Sequence, residues 1–309
     1  MTDTWPRAVS ASAMQWRQQL RSQIDQFVRR QQLPADFDLL VDDYLLPLAV
    51  WLAQLRKPGQ LLVVGICGGQ GSGKSTLTEF LQMVWAQMAL HAVGFSLDDL
   101  YLTRAERMLL AERVHPLLAT RGVPGTHDVQ LGLDTIAALR ARDVTRPVPI
   151  PRFDKSIDDR APAATWTLWQ GAADILLFEG WCVGARPWLD AAEPINRLER
   201  EADPDGRWRN YVNSQLAGPY RRLFAELDRL LMLKVPDMDC VLEWRRLQEH
   251  RLRARTGGGM SDAALERFVQ HYERITLNLL GDMPPRADCV FELGRDHRIA
   301  GLRLNSAAE

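Results

Sequence analysis

The sequence is poor in everything that would send a chain into a membrane, a disulfide scaffold or a nucleic-acid groove. No apolar run approaches bilayer-spanning length, and the first residues, Met1 to Arg7, hold no apolar signal core. Its cysteines, Cys67, Cys182, Cys240 and Cys289, are scattered through apolar segments with no paired metal-ligand spacing. Buried free thiols and a reducing, cytoplasmic compartment are therefore expected. Neither sign of charge is in excess. With 38 basic and 39 acidic residues the net charge is −1, so no broad field attracts a nucleic acid and anion binding is left to local clusters. Internal repeats and low-complexity tracts are missing too. What remains is 309 residues of ordinary globular composition, 46% hydrophobic and 25% charged, enough for one large or two ordinary domains.

Against that plain background one stretch stands out: Gly68, Gly69, Gln70, Gly71, Ser72, Gly73, Lys74, Ser75 and Thr76. Glycines at this spacing let the backbone wrap a row of phosphates with its N–H groups turned inward. Lys74 carries a charge to the outer phosphates, and the Ser75 hydroxyl suits Mg²⁺. The apolar run Leu61 to Cys67 before it predicts a buried parallel strand. Ser75 to Met88 after it predicts a helix whose N-terminus faces the phosphates. The pattern points to a bound ATP or GTP.

Two helices are expected ahead of this core, one with Leu20, Ile24, Phe27 and Val28 on a single face and one running from Val41 to Leu55. Residues 1–59 are thus a helical extension, and residues 60–309 a nucleotide-binding domain. Strands are expected over 91–96, 175–181, 230–235 and 287–293, with helices over 104–114, 133–141, 239–255 and from Ser261 to about Leu280. Strands alternating with helices predict a mostly parallel α/β sheet in three layers, with ligands at the carboxyl ends of the strands. The prolines of the segment from Pro147 to Lys155 predict an edge or a loop. Arg200 to Arg209, rich in charge, is expected to be a mobile surface insertion.

Asp98, Asp99 and Glu179 fall with the glycine loop at strand carboxyl ends. Glu179 closes an apolar run, where a carboxylate is costly unless it faces a cation, so it is a candidate Mg²⁺ ligand beside Ser75. Asp98 and Asp99 point to opposite sides of the chain; one suits the general base for an acceptor hydroxyl, the other a turn cap. A guanine-reading Asn-Lys-x-Asp element and Cys/His metal clusters are absent, which disfavours a GTP-driven switch or metallochaperone.

The stretch Ser96 to Tyr101 and Phe178-Glu179-Gly180 resemble the corresponding stretches of uridine kinases, phosphoribulokinases and bacterial pantothenate kinases. A closer resemblance is to D-glycerate 3-kinases. It rests on Asp98 to Thr103, Pro124-Gly125-Thr126-His127-Asp128, Pro151 to Ser156, Glu179-Gly180-Trp181, and Trp244 to Gln248 with Gly259 to Asp262. The resemblance implies a P-loop kinase that moves phosphate from Mg-ATP to a small-molecule acceptor, D-glycerate first, with Asp98 as base. Uridine or pantothenate as acceptor, or nucleotide hydrolysis that drives a switch or chaperone, are its alternatives. A small organic acid needs cations or hydrogen-bonding groups near the base. Asp99, Tyr101, Arg121, His127, Asp128, Arg152, Lys155 and Arg160 are the candidates. The resemblance also implies a helical lid at about 245–263 that brings an arginine to the transferring phosphate, with Arg251 and Arg255 on one helix face. No nucleic-acid or membrane partner is expected.

Overall fold

Hydrophobic runs too continuous for a one-sided strand end up at the centre of a six-stranded sheet. The computed structural model describes residues 4–34, 36–188, 193–256 and 259–305, without the side chains of residues 251, 252, 255 and 256. Strand β1 (Leu62–Gly68), buried at every residue, lies between β7 (Ile175–Gly180) and β8 (Arg229–Lys234). The order is β10-β9-β8-β1-β7-β2, with β2 (Ala92–Ser96), β9 (Cys289–Leu293) and β10 (Ile299–Leu304) completing it. All neighbours are parallel except β10, which runs antiparallel to β9. Parallel strands must be covered on both faces, and the side chains sort accordingly.

Leu62, Val64 and Ile66 share one core with Leu77, Phe80, Leu81, Val84 and Trp85 of α5 (Lys74–Gln87). The same core takes in the N-terminal helices α1 (Arg7–Gln19), α2 (Arg21–Arg30), α3 (Phe37–Leu40) and α4 (Leu46–Leu55). Phe27 sits edge-on to Phe80 at 5.5 Å, and Trp85 Nε1 donates to the Ala49 carbonyl at 2.9 Å. Val63 and Cys67 point the other way, into a second core. Residues of α7 (Val129–Ala141), α9 (Arg207–Ala217), α10 (Pro219–Phe224) and α12 (Asp262–Asp282) close it. Helix, sheet and helix make the expected three layers. Among the described residues no helix is long and apolar enough to cross a membrane, and the cysteines are buried and free.

Several local expectations change. Among its described residues the N-terminal segment forms four short helices, not two, with a π-helical turn at Val41–Leu45 before α4. Helix α7 begins at Val129, four residues early, because the Asp128 side chain caps it by accepting from Leu131 N at 3.0 Å. Pro147 to Lys155 forms the short strands β3 (Val148–Ile150) and β4 (Phe153–Asp154), which pair with β6 (Thr167–Trp169) and β5 (Asp159–Arg160) away from the main sheet. Strand β10 is an addition that the sequence did not announce.

Arg200 to Arg209 is not a surface insertion throughout. Helix α8 (Arg197–Ala202) and the start of α9 enclose Glu199 and Asp203, both wholly buried. Asp203 accepts from Trp208 N and Arg209 N and pairs with the Arg209 guanidinium at 3.0 Å, while Glu199 holds Arg274 at 2.6 Å. Charge that looked solvated is cancelled inside the fold.

Candidate active site

The turn after β1 depends on its glycines. Gly71 and Gly73 have φ of +80° and +89°, where side chains are strained. A Cβ on Gly68 would lie 2.6 Å from Ser72 Oγ and 2.9 Å from Leu233 Cβ; one on Gly69 would meet Val235 Cγ1 at 3.0 Å. Ser72 Oγ is buried without a hydrogen-bond partner among the described residues. Lys74 Nζ folds back to the carbonyls of Gly68 and Gly69 at 2.8 and 3.1 Å, so its charge stays over the loop. A turn too tight and too strained for side chains, an orphaned hydroxyl, a poised ammonium and a helix N-terminus together make an anion cradle.

The cradle divides two cavities. Gln70, Gly71, Lys74 and Ser75 line one of about 680 Å³. Gly71, Ser72, Gly73 and Thr76 line the other, of about 590 Å³. The parallel register sets Ser96 of β2 beside Glu179 of β7, and Glu179 beside Ile66 of β1. The carboxyl ends of all three strands therefore converge on the first cavity, which Asp98, Asp99 and Glu179 also line.

Ser96 organises the two aspartates differently. Asp98 N donates to Ser96 Oγ at 3.1 Å, while Asp99 Oδ2 accepts from Ser96 N at 3.0 Å as the other half of a capping box. Asp99 Oδ1 also takes Phe153 N at 3.3 Å, so this carboxylate braces the turn. Asp98 instead presents its oxygens to Tyr101 OH at 2.9 Å and Lys155 Nζ at 2.6 Å. Burial pushes the Asp98 carboxyl up, but Lys155 and the Tyr101 hydrogen bond outweigh it, and the group stays below the usual aspartate range. Glu179 goes the other way: burial raises it, with Lys74 only partly opposing. An acid held up by desolvation is one that a divalent cation would restore to its charged form.

The remaining sequence candidates separate cleanly. Tyr101, Arg152 and Lys155 line the first cavity; Arg121, His127, Asp128 and Arg160 do not. His127 is buried behind Tyr101, its ring stacked on the tyrosine at 4.4 Å and its Nδ1 2.5 Å from Tyr220 OH. Burial drives its pKa down to about 3, Asp98 only partly opposing, so it is a neutral strut. Asp128 caps α7 and pairs with Arg160 at 3.2 Å, and Arg160 also donates to the Tyr101 carbonyl. Arg121 pairs with Asp158 and lies over the Phe153 ring. Together these residues hold the loop that carries Lys155.

Helix α11 (Met238–Thr256), which overlaps the expected lid segment, leans on the cradle, since a Cβ on Gly71 would meet Trp244 Cβ at 3.1 Å and Gln248 Nε2 at 3.3 Å. Gln248 also lines the first cavity, a contact not singled out from the sequence because a glutamine on an Arg-rich helix carries no chemical signal. The side chains of Arg251 and Arg255 lie outside the described residues. The second cavity was missed altogether. Its apolar wall comes from Leu33, Phe37 and Tyr44 of the N-terminal segment, facing His297 and Ile299, and only the tertiary fold brings these together.

No protein-family model matches the chain. It is 36% identical over 252 residues to "Uncharacterized kinase mug58" of Schizosaccharomyces pombe, covering 77% of this chain and 87% of that protein. The chain belongs to the D-glycerate 3-kinase-like P-loop kinases. To the chloroplastic D-glycerate 3-kinase of Arabidopsis thaliana it is 31% identical over 219 residues, 68% of this chain but only 46% of that protein. The solved D-glycerate 3-kinase of Cryptococcus neoformans superposes with a TM-score of 0.67 at 27% identity, over 84% of this chain and 96% of that one. This family member is accordingly a kinase that uses ATP and a small-molecule acceptor.

Proposed function

We propose that the chain transfers the γ-phosphate of Mg-ATP to a hydroxyl of a small organic acid, with D-glycerate the first candidate. The observation that carries this reading is the single cavity in which the cradle, Glu179 and Asp98 meet beneath two loop cations, Lys155 and Arg152. The names of the Arabidopsis and Cryptococcus relatives support glycerate in particular.

The phosphates of ATP would lie in the cradle, on the inward N–H groups and the Lys74 charge. Its base would enter the second cavity, against Leu33, Phe37 and Tyr44. On this view residues 1–59 form an extension packed on the 60–309 kinase domain and wall part of the nucleotide site. Ser75 and Glu179 fit a Mg²⁺ that keeps most of its coordination for water and phosphate oxygens. When bound, it would offset charge on the transferring phosphoryl group.

Asp98 faces the acceptor. A hydroxyl directed at the γ-phosphorus gives its proton to the Asp98 carboxylate as its oxygen bonds to phosphorus. The bond to the β–γ bridging oxygen breaks, and ADP leaves with that electron pair. Asp99, already committed to two backbone N–H groups, keeps the turn in shape while this happens. The acids that bind metal and take the proton come from different strands, and the β2–β7 register fixes their spacing.

The test is ADP release by purified protein with Mg-ATP and D-glycerate, uridine, pantothenate or related sugar acids, with each phosphorylated product identified by mass spectrometry. D-Glycerate is expected to stimulate turnover most. Stimulation by uridine or pantothenate alone would reassign the acceptor, and ATP turnover indifferent to every acceptor would favour a hydrolysing switch.

A further inference from the structure

Any anionic acceptor entering the first cavity meets Asp98, Asp99, Asp154 and Glu179 on its walls and the phosphates of ATP beyond. It needs a cation that is close to the base and not tied down elsewhere. Arg121 and Arg160, both suited by sequence, are committed to Asp158 and Asp128 outside the cavity lining. Arg152 lines the cavity but is 71% exposed and stands 3.8 Å from Asp99. Lys155 is 59% exposed, and its Nζ lies 2.6 Å from Asp98 Oδ2. It sits on the turn between β4 and β5, held at its base by Phe153 against Tyr101.

We infer that Lys155 is the acceptor-reading residue: its ammonium rests on Asp98 and moves to the carboxylate of the incoming acid, freeing the base as the substrate binds. The inference rests on the organic-acid reading above and adds to it a specificity residue and a lock. In the resting arrangement both Asp98 oxygens are engaged, one by Tyr101 and one by Lys155. A carboxylate so paired is a weak proton acceptor, because the ion pair favours its charged form. Water in the cavity then meets a blunted base, and ATP is spared hydrolysis. An acid brings the counter-charge that draws Lys155 away; a neutral alcohol does not. The flexible lysine stem, with its point charge, suits such a transfer better than a forked arginine held on both sides. The proton route is unchanged: it passes from the acceptor hydroxyl to Asp98 as the new O–P bond forms and ADP departs.

The experiment compares D-glycerate with D-glyceramide, which has the same hydroxyls but no charge, in wild type, Lys155→Met and Lys155→Arg. Wild type should prefer the acid by about 10- to 100-fold in kcat/KM, the usual range for one charge-assisted contact. Lys155→Met should cut that preference to near unity through the KM for D-glycerate, with the KM for ATP unchanged. Its ATP hydrolysis without acceptor should rise several-fold. Lys155→Arg should recover part of the preference. An unaltered preference in Lys155→Met, or a loss that falls on the KM for ATP, overturns the inference and assigns the lysine to phosphate. If wild type phosphorylates neither D-glycerate nor any other acid, the organic-acid reading itself fails; if it phosphorylates D-glycerate and the lysine variants do not differ, only the inference does. Equal thermal melts for the three proteins rule out misfolding as the cause.

Discussion

At the scale of single residues, neighbours in sequence are given opposite work by one serine. Ser96 offers its hydroxyl to Asp98 N and its own N–H to Asp99, which commits Asp99 to the turn and leaves Asp98 facing the cavity. Asp98→Asn keeps the shape and removes the proposed proton acceptor. Phosphoryl transfer should fall by about 10²- to 10⁴-fold with ATP affinity retained, as single-turnover rates and nucleotide titration would show. Asp99→Asn should instead lower thermal stability, because an amide oxygen is a weaker acceptor for the N–H groups of Ser96 and Phe153. Full transfer in Asp98→Asn would move the base elsewhere. Gly68 makes a complementary case. The alanine Cβ at 2.6 Å from Ser72 Oγ and 2.9 Å from Leu233 Cβ has no room, so Gly68→Ala should deform the cradle and abolish measurable ATP binding while the helices, followed by circular dichroism, persist.

At the scale of elements, what was legible in the sequence was what local pattern alone decides. The strand, glycine turn and helix from Leu62 to Gln87 are announced by an unbroken apolar run, residues that must adopt positive φ, and a 3.6-residue period. That Glu179 and the Asp98-Asp99 pair gather at strand ends was legible because a carboxylate after an apolar strand has few structural uses, but which aspartate braces the turn was not: the resemblance alone named Asp98, and the Ser96 hydrogen bonds separate the two. Strand β10 was not legible, since its alternation covers only Leu302 to Leu304 after a register shift between Ile299 and Gly301, and pairing with β9 makes it a strand. Nor could composition say which loop cations face the cavity: Arg152 and Arg160 look alike in sequence, yet one lines the cavity and the other is spent on Asp128. The α8–α9 knot is the sharpest case, because charged residues look the same whether solvated or paired inside. Asp203→Ala would remove the carboxylate that pairs with buried Arg209 and accepts from two helix N–H groups. A loss of about 3–5 kcal/mol is expected, the usual result of breaking a buried pair from one side, and urea unfolding would measure it. A loss under about 1 kcal/mol would restore the surface reading.

For the whole molecule, the cavity edge that carries Asp98 is supported from behind by a buried base that stays neutral. His127 joins Tyr101, and through it Asp98, to Tyr220 on the far helical layer. Burial lowers its pKa to about 3, whereas an unfolded histidine titrates at about 6.5. Below about pH 6.5 the unfolded chain therefore binds a proton that the folded chain refuses, and stability must fall as the pH drops from there toward 3. For this one group the loss reaches about 2 kcal/mol at pH 5. His271, also pushed down by burial, adds to the same slope. Asp98 and Asp158 work in another window: their folded values are depressed, so their contribution is intact above the unfolded aspartate value and is lost only below about pH 4. Melting temperatures followed from pH 7 to 4.5 should thus fall steeply in wild type and less steeply in His127→Gln, which carries no titrating group at that position. The variant will start from a lower melting temperature, having lost the ring stack, but the slope and not the height is the readout. Identical slopes would mean that His127 is protonated in the folded protein at these pH values, and that the support behind Tyr101 is charged.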